Sequence, residues 1–450
     1  MHPGECFMIR QLIAAFAASI AFAAFAIADE LPRRGSLGVV LETQEGEGGG
    51  VNVVSIQIAT QTALQPGDRI ISVNGAAVAR AGHVGPALGR DPMPGDSVTL
   101  HIRRGGEEMD VPVTLVEAPV PQLNGVPVEL GSVRSAKGDL LRTYLVRPAN
   151  DNLVRDGKAP AVMLVQGINC APAETFSNPG HPYTRVYQVM SDAGFAVYAV
   201  EKPGLADSQG DDCTRIGFDE ELSGFHAGAR ALGETSGIDA DRLYIVGISM
   251  GGLQAPLIAQ QANIAGIVTW GTVLMPWYDY MIASFRRRAA LEGADPVENE
   301  KLMRAWRLVL AEAFVLGKSR DEIAAAHPEA YALVTESYGD LDAFGGRSLQ
   351  FSIETDRANC FAAWNSYRGR ALLLHGGFDW VAEGYDHELA AIVMNRNVPG
   401  SATFEVVPGL DHIMVRHESL ADSFAKFGQG PIDDAAYVRM RDWLVAEASR

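Results

Sequence analysis

Two kinds of hydrophobic pattern run along the chain. From about residue 33 to 118 the apolar positions come in short alternating runs broken by glycine. Val98, Leu100 and Ile102 alternate with polar residues, Arg104-Gly105-Gly106 turns the chain, and Val111, Val113 and Leu115 alternate back. Period-two alternation on both sides of a glycine turn predicts a β-hairpin with one buried face. Pro119 and Pro121 then interrupt the pattern and mark a boundary. Beyond them, residues 126–133 and 140–146 read as two antiparallel strands. Continuous apolar runs follow at 161–165, 195–200, 243–246, 264–270 and 371–374, with helical segments at 182–193, 218–232 and 252–262 between them. Unbroken apolar runs are the mark of strands buried on both faces. Their alternation with helices predicts an α/β body with a mostly parallel, doubly wound sheet and functional loops at the strands' C-terminal ends.

Composition narrows the classes. The chain has 450 residues, 47% hydrophobic and 20% charged, enough for a large core and more than one domain. A formal net charge of −18 would repel phosphate backbones and anionic lipid, so no nucleic-acid role is expected. Residues 12–27 are all Leu, Ile, Ala or Phe apart from one Ser. Arg10 precedes them, and Ala26-Ile27-Ala28 and Asp29-Glu30 follow. A positive start, a short apolar run and an A-x-A site describe a secretory signal peptide over residues 1–28 and a periplasmic or secreted protein with no membrane span after cleavage. An uncleaved anchor is the alternative, although the run falls short of the ~20 residues that span a bilayer. Cys170, Cys213 and Cys360 remain beyond that segment, and an odd count leaves at least one thiol unpaired within the chain.

Between the run at 243–246 and the helical run that follows lies Gly247-Ile248-Ser249-Met250-Gly251. A G-x-S-x-G joining strand to helix is a nucleophile elbow, so tight that small residues must flank the serine. Ser249 is the candidate nucleophile. Two further loops carry signals: Gln166-Gly167-Ile168-Asn169 after one buried strand, and Glu201 to Gly210, which includes Lys202-Pro203-Gly204, after the next.

With these motifs in this order, residues 125–450 resemble the α/β-hydrolase superfamily. The sequence departs from that pattern at Gln166, where histidine is commoner, and at Ala206, where glycine is. The fold places an acid and then a histidine after the serine. Asp379 follows the run at 371–374, and His412 follows the strand-like residues 403–407. Asp379 and His412 are therefore the expected partners of Ser249. Glu383, Asp386, His387 and His417 are weaker competitors because each falls in a helical-looking stretch. The resemblance also implies that the backbone N–H groups of Met250 and Ile168 receive the oxyanion. It further implies that Cys170 and Cys213, in loops after neighbouring strands, form a disulfide at the site's rim; two free thiols are the alternative. Residues 272–368 correspond to the superfamily's helical lid, and Leu302, Trp306, Val309, Leu310 and Ala313 fall there at helical spacing.

The first module, residues 33–118, resembles a PDZ domain through Gly35-Ser36-Leu37-Gly38-Val39 and the stretch from Leu64 to Gly75. In that family a peptide's C-terminal carboxylate rests on loop amides, here those of Leu37, Gly38 and Val39, while its backbone adds a strand to the sheet edge. A module that keeps the fold and binds nothing, or docks on its own neighbour, is the alternative. No H-E-x-x-H or C-x-x-C occurs, and neither metal nor cofactor is expected. The expected function is that of an exported serine hydrolase acting on a small ester or a peptide. The competing expectation is a periplasmic adaptor that binds through the PDZ module and carries a non-catalytic hydrolase scaffold.

Overall fold

A computed structural model describes residues 31–43, 50–58, 63–89, 91–339 and 341–450. The expected signal peptide and the acidic residues 45–49 lie outside the described residues. Among those described, no helix is long and apolar enough to cross a membrane.

The first module is an antiparallel sheet in the order Val39–Thr43, Val51–Ile56, Arg69–Val73, Ser97–Arg104, Glu107–Thr114. The expected hairpin closes it, pairing Ser97 with Thr114 and Arg104 with Glu107. Its alternating residues Val98, Leu100, Ile102, Val111, Val113 and Leu115 form one face of a small separate core. Among the described residues, Val39–Thr43 is an edge strand that pairs on its Val51–Ile56 side.

Where the prolines interrupt the pattern, the chain is tied down. Gly35–Ser36 pairs with Val116–Glu117. Arg33, 5% exposed, forms ion pairs with Asp207 at 2.6 Å and Glu174 at 2.8 Å, and also donates to the carbonyl of Pro119 at 3.0 Å. Arg142 meets the same Asp207 at 2.9 Å.

The expected strand at 126–133 is broken. Val126–Pro127 folds back on Gln122–Leu123 across Asn124-Gly125, and only Glu129–Arg134 joins the large sheet. Asn124 and Gly125 both take positive φ, 52° and 82°, as a two-residue hairpin turn requires.

The second body is an eight-stranded sheet: β1 (Glu129–Arg134), β2 (Leu140–Val146), β3 (Ala159–Val165), β4 (Ala196–Val200), β5 (Ile238–Ile248), β6 (Gly266–Trp270), β7 (Arg370–Gly376) and β8 (Ala402–Val407). The spatial order is β1-β2-β4-β3-β5-β6-β7-β8, antiparallel through β2/β4 and parallel thereafter. Every residue of β3, β4 and β6 is buried, which accounts for their unbroken apolar runs. Apolar clusters cover both faces.

Between β6 and β7 lies a helical insertion. It includes Trp277–Leu291, Pro296–Leu310, Arg320–Ala326, Pro328–Tyr338, Leu349–Arg357 and Cys360–Ser366. Trp306, Val309, Leu310 and Ala313 are buried in the core, so their stripe is helix packing.

Candidate active site

Ser249 stands between β5 and the helix Met250–Ile258 with φ 55° and ψ −120°, a conformation that costs a non-glycine residue about 1–3 kcal/mol. The flanking glycines are dictated by contact. A Cβ on Gly247 would lie 2.5 Å from the carbonyl oxygen of Gly251, and one on Gly251 would overlap the carbonyl oxygen of Val165. The Ser249 N–H donates to the Trp270 carbonyl at 2.7 Å, fixing the turn against β6. Ser249 itself is only partly buried.

His412 and Asp379 come to this serine from the loops after β8 and β7. His412 Nε2 lies 2.9 Å from Ser249 Oγ, and its Nδ1 lies 2.8 Å from Asp379 Oδ2. An ionised carboxylate only accepts, so Nδ1 carries the proton and Nε2 is left to accept from the serine hydroxyl. Asp379 Oδ1 accepts from the N–H groups of Val381 and Ala382 at 2.8 and 2.9 Å. The His412 carbonyl accepts from the Trp270 indole at 2.8 Å. Next to it, fully buried Asp411 accepts from Ile413 and Val415 N–H and meets His417 Nε2 at 3.0 Å, which folds the loop that presents His412.

The charges are set by these contacts. Burial opposes protonation of His412, but the Asp379 carboxylate more than offsets it and raises the imidazole pKa above its ordinary value. Burial likewise opposes ionisation of Asp379, yet His412 holds it below the usual carboxylate range.

The loop after β3 lies against the serine: a Cβ on Gly167 would be 3.4 Å from Ser249 Cβ. Gly167 N–H donates to Tyr183 Oη at 2.9 Å. No described residue accepts from the N–H of Ile168 or of Met250. The loop's carbonyls are engaged from behind. Lys202 Nζ donates to Gly167 at 2.5 Å and Asn169 at 2.9 Å, while Arg347 Nη1 donates to Ile168 at 2.9 Å.

Gln166, where the family pattern carries histidine, is fully buried and donates to the Val200 carbonyl at 2.9 Å, bridging β3 and β4. Ala206, in place of glycine, takes φ 50°. Cys170 and Cys213 form a disulfide between the loops after β3 and β4, and Cys360 is a buried free thiol.

The competitors serve the start of the insertion. His387 Nε2 accepts from Thr272 N–H at 2.9 Å, and burial drives its pKa down to about 3. Asp386 Oδ2 accepts from Leu274 N–H at 2.9 Å, with burial raising its pKa to about 6. Glu383 pairs with Arg287. His417 precedes the helix Leu420–Ala425 rather than lying in one, because Ser419 caps that helix after it.

In the first module, Leu37 is buried, Gly38 takes φ 66°, and Val39 opens the edge strand. The Gly38 N–H donates to Ser36 Oγ at 3.3 Å, and its carbonyl accepts from Gln57 and Ile58. Among the described residues, no group of three or more His, Cys, Asp and Glu could hold a metal ion.

Comparison with known families decides the assignment. Residues 167–427, more than half of the chain, match the alpha/beta hydrolase family, and residues 35–115 match the PDZ domain. The chain belongs to the alpha/beta hydrolase family. Its first module is a PDZ domain. The hydrolase is similar to a hypothetical protein from Pseudomonas aeruginosa at 16% identity, covering 73% of this chain and 96% of that one with a TM-score of 0.46. It is also similar to an esterase from Pyrobaculum calidifontis at 17% identity, covering 73% and 87% with a TM-score of 0.43. Est1E from Butyrivibrio proteoclasticus aligns at 14% identity, 71% and 99% coverage and a TM-score of 0.45. Comparison with curated proteins finds no match.

Sequence reasoning missed Lys202, Arg347, Trp270 and Asp411 in this hydrolase. Lys202 carried only a partial signal, a lysine two residues after a run of apolar strand residues and directly before Pro203-Gly204. The others carried none, because their roles depend on contacts with residues distant in the chain.

Proposed function

We propose that this hydrolase cleaves carboxylic esters or amides through an acyl-enzyme formed on Ser249. The observation that carries the reading is the hydrogen-bonded series from Ser249 Oγ through His412 to Asp379 at 2.9 and 2.8 Å, set on a strained elbow. His412 takes the serine proton during attack and returns it to the leaving group. Asp379 holds the imidazole tautomer and stabilises the imidazolium. The N–H groups of Met250, at a helix N-terminus, and Ile168 receive the oxyanion. Water then attacks the acyl group by the same route and frees the serine.

We take residues 33–118 as the PDZ unit and 125–450 as the hydrolase, with the insertion at 272–368 as its lid. The amides of Leu37, Gly38 and Val39 and the open edge of strand Val39–Thr43 are the place for a peptide C-terminus. An exported protein is the reading of residues 1–28, and a disulfide suits an oxidising compartment.

The test is a substrate panel on the full chain, p-nitrophenyl esters beside aminoacyl and peptidyl arylamides, with wild type and Ser249→Ala. Hydrolysis of short esters that disappears in Ser249→Ala is expected. A wild type inert on the whole panel, or activity that survives the substitution, contradicts the reading and returns the protein to a binding role.

A further inference from the structure

Lys202 lies two residues beyond β4 and is 1% exposed, although an isolated buried ammonium is costly. It is not isolated. Its Nζ donates to Gly167 O at 2.5 Å and Asn169 O at 2.9 Å, and Glu221 Oε1 faces it as an ion-pair partner at 3.6 Å. Glu221 comes from the helix Phe218–Glu234, is 1% exposed, and accepts from Gln254 Nε2 at 2.9 Å. Arg347, wholly buried ahead of the helix Leu349–Arg357, reaches the other Glu221 oxygen at 2.7 Å. Its guanidinium centre lies 3.7 Å from the centroid of the Phe351 ring. Two cations and one carboxylate are thus packed behind the loop 167–169, and all three of that loop's carbonyls accept from the cations.

The placement bears on the reaction. The Gly167 carbonyl and the Ile168 N–H belong to one planar peptide unit and point to opposite sides of it. A cation bonded to the carbonyl therefore turns the N–H away from the buried cluster, on the loop that touches Ser249. It also draws electron density from the nitrogen side, making the N–H a stronger donor.

We propose that Lys202 is a positioning residue for hydrolysis, aiming and polarising the Ile168 N–H toward the developing oxyanion while Glu221, itself held by Arg347, keeps its ammonium in place. The inference rests on Ser249 being the nucleophile. A structural lysine that merely neutralises Glu221 would affect stability and leave transition-state binding alone.

Charge at Lys202 is also within reach of titration. Burial lowers its pKa to about 8, with Arg347 acting in the same direction and Glu221 and Glu201 opposing. The ammonium is present below that value and lost above it, so kcat falls as pH rises through about 8.

The experiment compares full-length wild type and Lys202→Met on p-nitrophenyl butyrate and measures inhibition by an aryl trifluoromethyl ketone, whose adduct with Ser249 carries an oxyanion. Losing a whole oxyanion donor costs about 10²- to 10³-fold in kcat, so a misaimed one is expected to cost about 10- to 100-fold, with KM changed less than about threefold. The inhibition constant is expected to rise by the same factor as kcat falls. A folded Lys202→Met with wild-type kcat and inhibition constant overturns the proposal. Should that variant fail to fold, the wild-type profile decides: a kcat that falls through about pH 8 supports the proposal, and one flat to about pH 10 overturns it. A wild type that hydrolyses the ester but shows an insensitive Lys202→Met sinks this inference alone, whereas an inert wild type sinks the hydrolase reading with it.

Discussion

Gly271 makes room for His412: a Cβ on Gly271 would stand 2.7 Å from His412 Nδ1 and 3.1 Å from Asp379 Oδ2. Gly271 follows β6 at φ 62°, a region that also strains any residue with a side chain. The hydrogen bond between His412 and Asp379 therefore depends on an absent methyl group. Gly271→Ala is expected to displace the imidazole and lower kcat/KM by about 10²-fold, the scale of a 1 Å misplacement. Ester kinetics beside a circular dichroism melt check this. Unchanged kinetics in a folded variant contradict it.

The pH dependence follows from the same pair. His412 acts as a base only when neutral, and Asp379 raises its pKa. The imidazole stays protonated to higher pH than a free one, so kcat/KM rises with pH along an acid limb whose midpoint lies above the ordinary histidine value of ~6.5. Asp379→Asn removes the charge and the tautomer control. It is expected to move that midpoint down and lower kcat on the order of 10⁴-fold. A pH–rate profile of both proteins measures the two effects.

The disulfide and the free thiol behave differently. Cys170–Cys213 closes a loop of sequence separation 43, for which chain entropy allows up to about 4 kcal/mol of stabilisation. Reduction, or the double change to serine, is expected to lower Tm. Cys360 is buried, and its thiol pKa is pushed up to about 12 by burial, so it should resist alkylation in the folded protein. Thiol mapping under native and denaturing conditions reads both.

At the joint between the two domains, Arg33 supplies buried charge to Asp207 and Glu174, which sit in the loops the disulfide also connects. Arg33→Met leaves Asp207 with Arg142 and the Arg34 N–H, and Glu174 with the Tyr144 hydroxyl but without its ion pair. A loss of about 3 kcal/mol in urea unfolding is expected, the scale for breaking a buried pair by removing one partner. A midpoint shift near zero would show that the joint adds nothing to stability.

How much of this was legible in the sequence depends on the kind of signal. The strands at 161–165 and 243–246 declared themselves because both their faces are buried, which leaves no polar alternation. Ser249, Asp379 and His412 were legible through order: each follows a recognisable strand, and the topology brings strand ends together. Asn124-Gly125 is a strong turn signal, but the arm before it, Gln122–Leu123, is only two residues long and shows no pattern, so the residues after the turn read as one strand from 126 to 133. Lys202, Glu221 and Arg347 are charged types that ordinarily lie in solvent, and only the folded neighbourhood shows them buried and paired. Asp411 and His417 shape the loop that presents His412 through contacts that no periodicity encodes.

Covalent labelling reads whether Ser249 is a nucleophile activated by His412. Full-length protein is treated with a fluorophosphonate, and the adduct is located by peptide mass spectrometry in wild type, Ser249→Ala and His412→Ala. One adduct is expected, on Ser249, absent from Ser249→Ala and slowed at least about 10³-fold in His412→Ala. No labelling of folded wild type, or labelling that persists in Ser249→Ala, would contradict that role.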